Sequence, residues 1–261
     1  MKIRLLLLTQ LFALGLLFSG CSDTPARSAQ LQAIRKRGIL CVGIQSDVPR
    51  FGYYNPKTGE LEGLEIDLAR SIAEAILGNK EGVSFTVVTT PMRGPMLDNG
   101  EVDMIIAAYT ITEERKRLYN ITRPYYIDEV GFLVRKDSGL TGLADMQGKT
   151  IGVIRGTTTS EAITREAAKY GVKVRFWDFP SNPPILAALL NKQIDAYSVD
   201  KSILLGYLQE DTLLLPDGFD PQEYGIATKL GNDKLAAYLD TLIQTMQHNG
   251  TLATLRHKWG L

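Results

Sequence analysis

From Leu40 onward the chain alternates between short apolar runs and longer stretches with apolar residues at helical spacing, an order that few architectures tolerate. Residues 40–44, 83–89, 104–108, 130–135, 151–154, 173–177 and 196–199 read as strands. Between them, residues 65–77 place Ile66, Ala69, Ile72, Ala73 and Ile76 on one helical face, with Gly78 as the stop. Residues 92–99, 160–170, 184–191 and 201–209 also read as helices, the second of them opened by the capping-box pair Thr158 and Glu161. The C-terminus reads as helical from Asp233, with Gly250 breaking the pattern before residues 252–259. Strands separated by helices bury both faces of a sheet, so the expected fold class is α/β with open, largely parallel sheets.

The first twenty residues belong to a different category. Lys2 and Arg4 precede an apolar run at 5–18, shorter than the roughly 20 residues that span a bilayer. The run closes on Leu17-Phe18-Ser19-Gly20-Cys21, small residues before a cysteine that resemble the bacterial lipobox, with Phe18 in place of the usual leucine. The expectation is a lipoprotein signal peptide at 1–20, lipidation at Cys21 and a flexible polar tether at 21–30. Ala26-Arg27-Ser28 offers the alternative of ordinary secretion. Cys41, inside the apolar run, reads as a small buried hydrophobe rather than a disulfide partner.

Charge and composition exclude several classes of function. The chain has 29 basic and 29 acidic residues, and removing residues 1–20 leaves 27 against 29. A nucleic-acid binder needs a basic excess to neutralise phosphates, so no nucleic-acid partner is expected. Two cysteines and two histidines are too few for most zinc frameworks, and no metal or cofactor is expected. Gly148-Lys149-Thr150 looks like the end of a phosphate loop. It precedes a strand instead of following one and opening a helix, which is the wrong context. No Gly-x-Ser-x-Gly elbow is present.

Five segments then occur in a telling order: Gly43-Ile44-Gln45-Ser46-Asp47 through Phe51, Gly63-Leu64-Glu65-Ile66-Asp67, Asn99-Gly100-Glu101-Val102-Asp103, Thr110-Ile111-Thr112-Glu113-Glu114-Arg115, and Arg123-Pro124-Tyr125-Tyr126. Together they resemble the extracytoplasmic amino-acid-binding proteins of ABC importers, solute-binding protein family 3, over nearly everything after residue 30. Arg93-Gly94-Pro95, the stretch from Ser198 to Tyr207, Tyr224-Gly225-Ile226 and the closing Lys258-Trp259-Gly260-Leu261 are similar to its aspartate- and glutamate-binding members. The resemblance implies a two-lobed periplasmic-binding-protein fold of type II, with two α/β lobes joined by a two-segment hinge. Lobe 1 would be 31–127 plus 224–261, and lobe 2 would be 128–223. It also implies a monomer that hands its amino acid to an ABC permease and ATPase outside the cytoplasm, held to the membrane through Cys21.

The chemistry of a free amino acid fits the residues that the resemblance singles out. A buried zwitterion needs a cation for its carboxylate and an anion for its ammonium. Arg115 matches the family's carboxylate-binding arginine, whose planar fork can engage both oxygens. Thr110 would add hydrogen bonds, and Thr157 and Thr158 precede a helix whose free N–H groups favour an anion. Asp200 matches the ammonium-binding aspartate. Read alone, Arg115 sits in a charged run and Asp200 looks like a helix N-cap. Phe51 is a candidate apolar wall and Tyr224 a candidate ligand contact, whereas Tyr125 and Tyr126 read as hinge-side packing.

Ligand identity rests on fewer positions. Arg93 matches the arginine that meets a side-chain carboxylate in acidic-amino-acid binders, so aspartate or glutamate is expected first. Gln45 stands where those relatives carry lysine, and Ala108 where threonine is common, which brings glutamine next. No enzyme activity is expected. A lyase of the cyclohexadienyl dehydratase type would need a general acid that the binding assignment leaves unfilled. A surface adhesin or chemoreceptor partner remains compatible with binding.

Overall fold

The computed structural model describes residues 29–261. The signal-peptide, tether and Cys21 assignments lie outside the described residues, apart from the last two tether positions, which already belong to a helix, Ala29–Arg37.

Two sheets form two lobes. The first has the order Val83–Val87, Leu40–Ile44, Met104–Ile105, Ala227–Lys229, Tyr119–Ile121. Its first three strands run parallel, and Ala227–Lys229 enters antiparallel between neighbours more than a hundred residues earlier in the chain. The second has the order Arg175–Phe179, Thr150–Ile154, Ala196–Asp200, Tyr126–Arg135, Thr212–Leu214, with Phe219–Tyr224 also paired to the long Tyr126–Arg135 strand. A short meander, Asp47–Val48, Gly52–Asn55 and Glu60–Glu62, follows the first strand.

Helix Leu64–Leu77 shows how sequence becomes packing. Leu64, Ile66, Leu68, Ala69, Ile72, Ala73 and Ile76 are buried on one side, each larger side chain worth about 1.5–3 kcal/mol when removed from water. Gly78 ends it in the left-handed region at φ 71°, with its N–H donated to Glu74 O at 2.8 Å. The C-terminal helices Asp233–His248 and Thr251–Lys258 join the first lobe. There Lys258 Nζ and Trp259 Nε1 donate to Asp67 Oδ2 at 2.6 and 2.8 Å. A second core, including Val130, Val134, Ile151, Val153 and Ile163, serves the second sheet.

The chain passes from the first sheet to the second between Ile121 and Tyr126, and returns between Tyr224 and Ala227. These crossings are pinned on both sides. Arg123 makes a two-pronged contact with Asp240, Nε to Oδ1 at 3.1 Å and Nη2 to Oδ2 at 2.8 Å. Tyr125 N–H donates to Tyr224 O at 2.9 Å, and Thr110 bridges to Tyr224.

Several expected boundaries shift. The strand expected at 173–177 is Arg175–Phe179, and the helix expected at 201–209 ends at Leu205. The capping box does not form: Thr158 makes no side-chain cap bond, and its hydroxyl donates to Gln222 Oε1 at 2.7 Å instead.

Candidate functional site

Parallel strands leave their C-terminal ends as a natural crevice, because the chain must turn away there. Both sheets point such ends at each other. Gln45 follows Leu40–Ile44, Thr90 follows Val83–Val87, and Ala108 follows Met104–Ile105. From the other side, Ile154 and Asp200 end their strands, and Asn182 lies just past Arg175–Phe179. These residues line a cleft with Arg93, Thr110, Arg115, Thr157, Thr158, Thr159, Val199 and Ile203. The walls lie close together: about 400 Å³ of non-atom space lies along the cleft, counting the open solvent at its mouth.

Two guanidinium groups share one wall. Arg115 Nη1 donates to Thr110 O at 2.7 Å, and its Nη2 reaches Gly156 O of the opposite lobe at 3.4 Å. Arg93 donates from Nε to Thr90 O at 3.1 Å and from Nη1 to Ala107 O at 2.9 Å. Both stack on Tyr109, their Cζ atoms 4.6 and 4.9 Å from the ring centre. Neither forms an ion pair among the described residues. Burial, then the neighbouring Arg115, lowers Arg93 to a pKa of about 9, and burial also lowers Arg115.

Across the cleft, Asp200 is 6% exposed. It occupies the N-cap position of helix Lys201–Leu205 without making a side-chain cap bond. Its Oδ2 accepts the Tyr224 hydroxyl instead. Burial, then the like charge of Asp128, pushes its carboxyl up to about 7, against the pull of Tyr224 and Arg115. A buried carboxylate with one neutral donor is short of a cation.

A third acid lies behind the floor. Glu65 is fully buried; its Oε1 accepts from Tyr125 Oη at 2.6 Å and Ala108 N at 2.7 Å, while Oε2 has no partner. Burial raises its pKa. The Ala107–Ala108 peptide is therefore held at its carbonyl by Arg93 and at its N–H by Glu65. This explains how Ala108 keeps a left-handed φ of 43° without being glycine.

Of the site residues expected from sequence, Arg115, Asp200, Arg93, Thr110, Thr158, Thr157, Gln45 and Ala108 meet at this cleft. Two do not line it. Phe51 is wholly buried, edge-on to Tyr126 and Tyr224 at 5.1 and 5.8 Å, because the aromatic cluster beside the crossings takes it as packing. Tyr224 is likewise buried in that cluster and meets lining residues through its hydroxyl on Asp200 and its backbone bridge to Thr110. Sequence reasoning missed Thr90, Ile154, Thr159, Asn182, Val199 and Ile203; all but Ile203, which sits inside helix Lys201–Leu205, lie at or near a strand or helix end. Among the described residues, no group of three or more His, Cys, Asp or Glu side chains is placed to hold a metal ion.

Residues 40–261 match the family of bacterial extracellular solute-binding proteins, family 3. The chain belongs to that family. Its relatives include the ABC transporter glutamine-binding protein GlnH of Bacillus subtilis, 32% identical over 99% of this chain and 97% of the relative. The glutamine-binding protein of Geobacillus stearothermophilus is 35% identical over 79% of each chain. Among solved structures, the cysteine-binding protein of Campylobacter jejuni superposes with a TM-score of 0.79 at 27% identity, covering 87% of this chain and 91% of that one. For a family 3 solute-binding protein, the type II two-lobed fold and the binding of an amino acid follow directly. Among the described residues no helix is long and apolar enough to cross a membrane.

Proposed function

We propose that this chain captures a polar L-amino acid between its lobes, aspartate or glutamate first and glutamine next, and delivers it to the permease and ATPase of an ABC importer. The observation that carries this reading is the pairing of an unmatched cation and an unmatched anion across one small cleft: Arg115 on one lobe and Asp200 on the other. A zwitterion supplies the missing partner to each, and only with the lobes closed. Charge-assisted contacts of this kind contribute about 1.5–3 kcal/mol each, so ligand biases the lobes toward closure. Lobe 1 is 31–127 plus 224–261 and lobe 2 is 128–223, with the two crossings as the hinge.

The side-chain end of the ligand meets Arg93. Among the described residues its Nη2 has no protein acceptor beside the Nε and Nη1 contacts, which favours an acidic side chain. Gln45, 8% exposed on the cleft, and relatives named for glutamine support an amide as the second reading. Neither reading requires a covalent step. Lipidation at Cys21 would tether a monomer to the outer face of a membrane.

A thermal-shift screen of the twenty amino acids tests this. A ligand at a hundredfold its Kd stabilises by about 2.7 kcal/mol, or roughly 5–10 °C for a chain of this size. The expected responders are glutamate, aspartate or glutamine, with none from lysine or arginine. No response to any amino acid would contradict the proposal.

A further inference from the structure

A cleft whose charged groups are this buried admits a solute only when its walls part. The walls are also joined on the side of Gln45. Asp47, on the first lobe, accepts at Oδ2 both the Asn182 backbone N–H and Asn182 Nδ2, each at 3.0 Å. Asn182 opens helix Asn182–Leu190 on the second lobe, and Ser181 before it makes no side-chain cap bond. Asp47 thus supplies, from the facing lobe, the acceptor that a helix N-terminus otherwise lacks. Tyr207 Oη donates to Asp47 O. Beside it a Cβ on Gly206 would lie 2.7 Å from Pro49 Cβ, so the lobes touch with no room for a methyl group.

This clamp fixes the amide of Asn182. A carboxylate can only accept, so Nδ2 must face Asp47, and Oδ1 is taken by Tyr197 Oη at 2.5 Å. One N–H of a wholly buried amide that lines the cleft is left over. It can serve a carboxylate or amide oxygen, and it has nothing to offer an ammonium or guanidinium.

We propose that Asn182 is a further ligand-binding residue that donates to an acceptor on the ligand side chain, and that Asp47 of the facing lobe is its positioning residue, so recognition is completed only on closure. This rests on the amino-acid-binding reading above.

Titration calorimetry with L-glutamate and L-glutamine, on the full chain and on Asp47→Ala, Asn182→Ala, their double variant and Gly206→Ala, tests it. Asp47→Ala should raise Kd about 3- to 30-fold for whichever amino acid the wild type binds, the range for a lost helix cap. Gly206→Ala, which removes no polar group, should weaken binding in the same direction. The ligand-free melting temperature should not move in Asp47→Ala or Gly206→Ala, because on this proposal these contacts form only on closure. The double variant should lose less than the sum of its single losses, because Asp47 acts through Asn182. Additive losses, wild-type affinity in Asp47→Ala or Gly206→Ala, or a fall in their ligand-free melting temperature would overturn the inference. A wild type silent to both amino acids would instead remove the reading on which it rests.

Discussion

Replacing Asp200 by asparagine removes one negative charge and leaves the side-chain shape almost unchanged. The Tyr224 hydroxyl keeps an acceptor at that position, while the ligand's ammonium loses its counter-charge inside the cleft. Removing one partner of a buried pair costs about 3–5 kcal/mol, which is roughly a hundred- to several-thousand-fold in Kd. The ligand-free protein should melt no lower than wild type, because the substitution removes a buried charge that Arg115 pulls on without forming an ion pair. The pH dependence gives an independent check. Burial is the chief cause that pushes the Asp200 carboxyl up to about 7. Below that pH it holds a proton that the incoming ammonium must displace. Wild-type affinity should therefore be nearly full by about pH 8, fall through pH 7, and decline by up to tenfold per unit as pH drops toward 5. Asp200→Asn should lack that slope. Calorimetry from pH 5 to 8 measures both effects. Binding by Asp200→Asn within threefold of wild type, or a flat wild-type profile, would refute the reasoning.

Arg115→Ala should abolish measurable amino-acid binding by calorimetry while leaving the melting curve near wild type, since its protein contacts are two backbone carbonyls and one ring; retained micromolar affinity would remove it from the site. Gln45→Lys adds a second cation beside the side-chain end of the cleft and should shift preference toward glutamate over glutamine in competition binding; an unchanged ratio would take Gln45 out of recognition. Cys21→Ser should move the protein from the membrane to the soluble fraction of cells, and unchanged fractionation would point to another anchor.

The sheets were legible where one period dominates. The helical stripe at 65–77 and the apolar runs at 40–44 and 151–154 need no distant information, because their burial is written in local spacing. The strand Ala227–Lys229 has no such mark. Three residues acquire their place from neighbours far away in sequence, and only the family resemblance suggested that the C-terminus returns to the first lobe. The strand Phe219–Tyr224 escapes sequence reading for the same reason, whereas the meander at 47–62 pairs locally but through strands too short to show an alternation. Arg115 illustrates the limit for the site. Within Glu113–Leu118 composition alone describes a solvated turn of helix, and Glu113 and Lys116 do pair on its exposed side at 2.9 Å. Arg115 turns the other way, to Tyr109 and Thr110, which no local pattern encodes. Asn182 and Thr90 carry no compositional signal at all. Their significance comes from lying past strand ends that face each other only once both lobes are built.

The central claim is that one guanidinium and one carboxylate, on facing lobes, hold the two charges of a single zwitterion. Titration of the wild-type chain with L-glutamate and L-glutamine, beside their N-acetyl and α-amide derivatives, tests it most directly. The free amino acid should bind and both blocked forms should fail, the first for want of an ammonium at Asp200 and the second for want of a carboxylate at Arg115. An N-acetyl derivative that binds as tightly as the free amino acid would contradict the account.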